Sequence, residues 1–583
     1  MTSIRSRLGA LAAALIISPI AAQPAIAPAF AQQANQSPKG DWTGDLVTPQ
    51  LTYKLGIHID EASPGNFRGT IGSHQTGRWG TALEQLSFAD GALSFHVPTT
   101  NATFTGTWDA AASAWTGTYK TPNGTFPLKL AAGKVPPLPT IAGLDGRWEG
   151  VLDVQGQMKL RLVYRVFSDE HGSRLLMDSP DQVANNILAT NLTRNGSRIS
   201  FDVPSIRGRY EGDVSADGAT ITGEWSQGMA MPLIMTRTST NAALPEPKRP
   251  QTPKAPFPYK VEEVAYDNPK ESGVRLACTL TAPQKAGRHP AAILITGSGA
   301  QDRDETIFGH KVLGVLADHL TRKGIAVLRC DDRGFGKSTG VFLNKTPADF
   351  STDVEAGLAF LRTRPDIDPR RIGLIGHSEG SITGPMAAIR NPDVAFIVMM
   401  GGVGVKGVDL MAEQRTLIAA SMGLPKEQQG MARAANLGLL GAIANAPDDA
   451  AAKSIAANFL LLAGAAQGMT QEMANQQAEQ FASPYLRDLL KYDPAPVLSQ
   501  VKAPVLAVTG SKDLQVPSYQ NLPGIKAVMK DNPDVTTVEL PNLNHLFQTA
   551  KTGAVAEYGE IEETFAPIGL TTISDWIVKR MKP

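Results

Sequence analysis

The chain has 583 residues, more than one hydrophobic core can organise, so two or three domains are expected. Its 42% hydrophobic and 19% charged residues are those of a globular protein, and 55 basic residues balance 55 acidic ones. That balance supplies no counterion release on a polyanion and argues against nucleic acid as a partner, while two cysteines are too few for a disulfide scaffold or a Cys-based zinc site.

Residues 1–31 read as a signal peptide. Arg5 and Arg7 form a positive start, Leu8–Ile20 is apolar but too short to span a bilayer, and Ala29-Phe30-Ala31 is a small-x-small cleavage site before Gln32. The protein is therefore expected to be exported, periplasmic or extracellular, with no membrane span.

Residues 38–238 read as all-β, with turn signals between short alternating strands such as Leu51-Tyr53-Leu55-Ile57-Ile59. The region repeats itself. Trp42-Thr43-Gly44 returns at Trp148-Glu149-Gly150, an offset of 148 − 42 = 106, and Leu93-Ser94-Phe95 returns at Ile199-Ser200-Phe201 with the same offset. Two tandem modules are expected, 38–135 and 143–238, each a small antiparallel barrel or sandwich. Their aromatic residues could form a carbohydrate platform, but repetition at equivalent strand positions favours two homologous cores. The modules are expected to bind an unknown ligand or to pack on the C-terminal domain.

Six prolines between Pro245 and Pro258 mark residues 239–258 as a stiff linker. Residues 259–583 then alternate buried strands with helices: Ala291–Ile295, a helix over Gly309–Lys323, Ile325–Leu328, a helix over Ala348–Leu361, and the strands Ile372–Ile375, Val394–Met400, Val505–Val508 and Val535–Leu540. That pattern predicts a mainly parallel sheet with helices on both faces. Residues 405–490 read as helical only, with Met411, Met422, Met431, Met469 and Met473, and are expected to form a cap whose methionines wall the substrate site.

Two G-x-S-x-G matches occur. Gly376-His377-Ser378-Glu379-Gly380 lies between a predicted strand and a predicted helix, where the motif places a nucleophile on a sharp turn. Gly336-Lys337-Ser338-Thr339-Gly340 has no such context. A serine hydroxyl needs a base, and of nine histidines His545 alone lies beyond Ser378. Asp513, after the strand Val505–Val508, is the expected orienting acid, and Asp493 is the alternative. The amides of Ser298, in Thr296-Gly297-Ser298-Gly299, and of Glu379 are the expected oxyanion donors. The charged run Gln301-Asp302-Arg303-Asp304-Glu305 continues that loop, either as a substrate contact or as a solvated loop.

Residues 259–583 resemble an α/β-hydrolase, specifically the bacterial exported esterases related to the serine aminopeptidase and dienelactone hydrolase branches. The resemblance rests on Gly297-Ser298-Gly299 with Gln301-Asp302-Arg303-Asp304, on the run from Arg329 to Ser338, and on Gly376–Gly380. It implies a Ser378–His545–Asp513 triad and a small-molecule carboxylic ester as substrate, with no cofactor or metal. Cys330 stands where such proteins usually carry Tyr or Phe, and whether it pairs with Cys278 is open. A serine aminopeptidase is the alternative, with Asp409, Glu413 and Glu427 of the cap available to bind a substrate amine. A third possibility is a binding protein whose β modules do the work and whose hydrolase domain is vestigial.

Overall fold

The computed structural model describes residues 37–581 except 49–51, 122–123, 155–157, 183, 228, 239–247, 465–468 and 482. The signal-peptide segment and the first two linker prolines, Pro245 and Pro247, lie outside the described residues.

Nine antiparallel strands, from β1 (Gly40–Val47) to β9 (Gly124–Ala132), form the first sheet. Strand β1 pairs with β9, which nearly closes the sheet. Eight strands, from β10 (Gly146–Val154) to β17 (Ala230–Thr238), close fully into a barrel. Period-two patterning builds both interiors: Leu55, Ile57 and Ile59 point inward from one strand of the first sheet, and Trp42, Phe95, Phe104 and Trp115 join them. Trp148, Tyr164, Phe201, Tyr210 and Trp225 fill the barrel. These aromatic residues are core, not an exposed platform. Between the two sheets, Trp79 stacks on His171 with ring centroids 4.1 Å apart.

The third sheet has eight strands: β18 (Tyr259–Asp267), β19 (Arg275–Pro283), β20 (His289–Ile295), β23 (Ala326–Cys330), β24 (Ile367–His377), β25 (Ile397–Met400), β26 (Val505–Gly510) and β27 (Val535–Leu540). A small hairpin, β21 (Thr306–Ile307) and β22 (His310–Lys311), follows β20. Across the sheet the order is β18-β19-β23-β20-β24-β25-β26-β27, with β19 antiparallel to both of its neighbours and every other pair parallel. Alternate residues of β20 enter different cores, Ala291, Ile293 and Ile295 on one face and Ala292 and Leu294 on the other. A strand buried on both faces needs the continuous apolar run seen here. Helices α1 (Val312–Arg322), α2 (Pro347–Thr363) and α3 (Gly380–Ile389) cover the sheet.

Between β25 and β26 the chain is helical: α4 (Gly407–Ser421), α5 (Lys426–Ala444), α6 (Asp449–Gly464), α7 (Gln471–Phe481), α8 (Pro484–Lys491) and the short α9 (Ala495–Leu498). Helices α10 (Ser518–Val528) and α11 (Pro567–Met581) complete the domain. Helices α4–α8 share a core of their own around Leu440, Ile443 and Ala456.

In the Pro-rich linker, Arg249 donates to the carbonyls of Phe308 (2.8 Å), Gly559 (2.9 Å) and Ile561 (3.2 Å), and Gln251 donates to that of Phe565 (2.8 Å). The second half of the linker is thus bound to the C-terminal domain. The open cysteine question also resolves. Cys278 and Cys330 are direct cross-strand partners in β19 and β23 and form a disulfide.

Candidate active site

Strand β24 ends at His377 and helix α3 begins at Gly380, leaving Ser378 on the turn with φ +51°. A non-glycine residue in the left-handed region is a strained placement that its surroundings must hold. Here the Ser378 amide donates to the Met400 carbonyl at 2.8 Å, tying the turn to β25. The flanking glycines let the segments close up. A Cβ on Gly376 would lie 2.0 Å from the Gly380 carbonyl oxygen, and one on Gly380 2.5 Å from that of Ile295. Ser338, in the other motif match, is structural: its hydroxyl donates to the Asp331 carbonyl (2.7 Å) and accepts from the Ala277 amide (2.9 Å).

His545 follows β27 and is buried. Its Nδ1 lies 2.8 Å from Asp513 Oδ2, and Asp513 sits three residues beyond β26. The other oxygen, Oδ1, accepts the amides of Gln515 and Val516, each at 2.8 Å. Asp513 is therefore held from two sides, and with Nδ1 committed to it, Nε2 is the ring nitrogen left for chemistry. Asp493 is elsewhere: it accepts the Ala495 amide at the start of α9 and faces Lys406.

The Ser298 and Glu379 amides donate to no acceptor among the described residues. The Glu379 side chain is buried and accepts a hydrogen bond from the Tyr485 hydroxyl of α8. Burial pushes its carboxyl up to about 7, against the pull of the Tyr485 and Ser298 hydroxyls. Nearby Asp332 is pushed up to about 8, also by burial, although Thr296 and the Gln301 amide donate to it.

The charged run after Ser298 is tied into the domain rather than left as a solvated loop. Asp302 accepts the amides of Asp304 and Thr306, Arg303 pairs with Asp331, Asp304 pairs with Arg329, and Glu305 is fully buried. Glu305 Oε1 accepts the Gly297 amide and faces His377 Nδ1, both at 2.8 Å. Sequence reasoning missed this contact. The available signal was a run of five polar residues in the loop that follows a doubly buried strand.

A family model described as X-Pro dipeptidyl-peptidase (S15 family) matches residues 272–531. Esterase EstD of Thermotoga maritima is 26% identical over 267 residues, which is 46% of this chain and 57% of the esterase. Thiohydrolase apmlB of Arthrinium phaeospermum is 38% identical over 76 residues, 13% of this chain and 25% of its own length. The chain thus spans less than two thirds of either relative. Among solved structures, Est1E from Butyrivibrio proteoclasticus aligns over 55% of this chain and 98% of its own, at 13% identity and a TM-score of 0.32. The C-terminal domain is an α/β-hydrolase.

Within the hydrolase domain, the acids considered for binding an amine are dispersed. Glu413 is engaged by Arg433 and Tyr519, Glu427 is exposed, and Asp409 lies half-buried on α4. The methionine wall is not formed as expected. Met422 and Met431 face solvent, while Met411 and Met469 pack into the core shared by α4–α8. Apolar periodicity marked these positions as helical without saying which face meets the sheet. The side chain of Met473 is outside the described residues.

Proposed function

We propose that the hydrolase domain is a serine hydrolase cleaving carboxylic esters through an acyl-enzyme intermediate. The observation that carries this function is the His545–Asp513 contact of 2.8 Å in a domain that also holds Ser378 on a strained strand-to-helix turn. Ser378 Oγ attacks the ester carbonyl while His545 Nε2 takes its proton, and Asp513 holds the ring tautomer and stabilises the imidazolium. The amides of Ser298 and Glu379 receive the tetrahedral oxyanion. His545 then protonates the departing alcohol, and water repeats the sequence to release the acid. No cofactor enters these steps.

Helices α4–α8 act in this account as a cap, supported by the Tyr485–Glu379 hydrogen bond from α8 to the residue after Ser378. Residues 38–135 and 143–238 are read as tandem copies. Equivalent indoles support this: Trp42 donates to the Pro38 carbonyl (2.7 Å) and Trp148 to that of Leu144 (2.8 Å), each four residues back. Phe308 of the hydrolase domain lies against the core of the second copy, which supports packing between the two. Export through the signal peptide is supported by the Cys278–Cys330 disulfide, since such bonds persist in oxidising compartments.

One observation favours a second reading. Glu379 places a buried carboxyl directly after Ser378, where an aminopeptidase could receive a substrate ammonium, and the matching family model describes a peptidase. Turnover of p-nitrophenyl esters against aminoacyl arylamides separates the two. Labelling by a fluorophosphonate, mapped to Ser378, tests the shared mechanism. A folded protein that takes no label would leave the β modules as the working part and the hydrolase domain vestigial.

A further inference from the structure

Beyond the three residues assigned to the reaction, the domain buries a second acid–imidazole pair that the mechanism does not use. Glu305 is fully buried and held at φ +51°. Its Oε1 receives the Gly297 amide and His377 Nδ1, each at 2.8 Å. On the other side of the ring, His377 Nε2 donates to the His545 carbonyl at 2.9 Å. The His377 and His545 rings lie 4.7 Å apart at 41°.

One carboxylate oxygen therefore joins three segments that carry the chemistry. Gly297 precedes Ser298, His377 precedes Ser378, and the third tie is His545 itself. The packing is close: a Cβ on Gly297 would lie 3.0 Å from Glu305 Oε1, 3.3 Å from Ser378 Cβ and 3.6 Å from His377 Nδ1. With a carbonyl at Nε2 and a carboxylate at Nδ1, both ring nitrogens of His377 are placed to donate. Burial opposes a charge there, but the Glu305 carboxylate outweighs it and holds His377 above the usual histidine pKa.

What holds Glu305 comes partly from another domain. Three residues on, Phe308 forms the tip of the β21–β22 hairpin and packs against the interior of the β10–β17 barrel. Its ring also meets Tyr558 edge-on at 6.4 Å, and its carbonyl accepts Arg249 of the linker. At the base of the hairpin, buried His310 contacts Thr564 (2.8 Å), the Tyr558 carbonyl (2.9 Å) and Gln548 (2.9 Å). Gln548 is in turn bonded to Asn544, next to His545. The hairpin is thus anchored at its tip by the barrel and at its base by the histidine loop.

We propose that Glu305 is a positioning residue that, through His377 and Gly297, locks the oxyanion loop, the Ser378 turn and the His545 loop in one arrangement, and that the β10–β17 barrel keeps it there by taking up Phe308. The inference rests on the serine hydrolase function proposed above. It gives the barrel a part in catalysis without contact with substrate.

The test uses the full-length protein and its Glu305→Gln, Phe308→Ala and Phe308→Leu variants. Two quantities are read at a temperature where circular dichroism shows each protein folded: the rate of fluorophosphonate labelling at Ser378, and kcat and KM for p-nitrophenyl acetate. Misplacing reacting groups by about an ångström costs on the order of 100-fold. Glu305→Gln is expected to lose roughly 10- to 100-fold in labelling rate and kcat, with KM within about threefold, because the lost order serves the transition state rather than ground-state binding. Phe308→Ala is expected to fall in the same manner by a smaller factor, and Phe308→Leu, which keeps the apolar plug, to recover most of it. A folded Glu305→Gln protein with wild-type labelling overturns the proposal, as does Phe308→Ala with wild-type kcat. If Glu305→Gln does not fold, the Phe308 pair decides. Failure of wild-type protein to label at all overturns the hydrolase function and this inference together, an outcome distinct from those in which wild type labels normally.

Discussion

Asp513 meets His545 with one carboxylate oxygen, at 2.8 Å from Nδ1, and spends the other on two backbone amides of its own turn. The carboxylate is thus aimed before it acts, and the imidazole is held through one nitrogen only.

Asp513→Asn keeps the shape of this contact but removes the charge and disturbs the ring tautomer. It is expected to lower kcat by about 10³–10⁴ with little change in KM. Steady-state kinetics on a p-nitrophenyl ester provide the check, and an unchanged kcat would remove Asp513 from the mechanism.

The two serine motifs should separate cleanly. Ser338→Ala is expected to leave turnover near wild type but to cost about 1–2 kcal/mol, because the buried hydroxyl satisfies both the Ala277 amide and the Asp331 carbonyl. Urea unfolding together with an esterase assay reads both quantities. A silent Ser338→Ala in both would mean that water replaces the hydroxyl.

Glu379 should couple stability to pH. Burial holds its carboxyl near 7 in the folded protein, against 4.5 as the ordinary value. Between those values the folded state keeps a proton that the unfolded state has lost, so its contribution falls as pH rises from about 4.5 through 7. Glu379→Gln has no proton to lose. Its stability relative to wild type is expected to improve by roughly 2 kcal/mol between pH 5 and pH 8. Parallel pH profiles in urea unfolding would contradict the assigned burial effect.

Export and the disulfide give a paired expectation. Native protein should begin near Gln32 and show no titratable thiol when unfolded without reductant, because both cysteines are joined. An intact Met1 with two free thiols would place the protein in a reducing compartment.

Much of the site's geography was legible because it follows from local pattern. A continuous apolar run, a G-x-S-x-G and a following helix put Ser378 on a strand-to-helix turn, and chain order singled out His545. What stayed hidden depends on distant partners. Glu305 is 72 residues from His377, and in sequence its run looks like solvated charge. Arg249 reaches carbonyls more than 300 residues away, which no count of prolines reveals. The cysteine pairing required the register of β19 on β23, and the exposed methionines required knowing which helix face meets the sheet.

The central claim, that Ser378 and His545 act as one unit, is tested most directly by a double-mutant cycle. Ser378→Ala and His545→Ala are each expected to lower kcat by about 10⁴–10⁶, and the double mutant to lose little beyond either, since the attack requires both groups in one geometry. Losses that multiply in the double mutant, or near-wild-type turnover in a folded Ser378→Ala protein, would contradict the account.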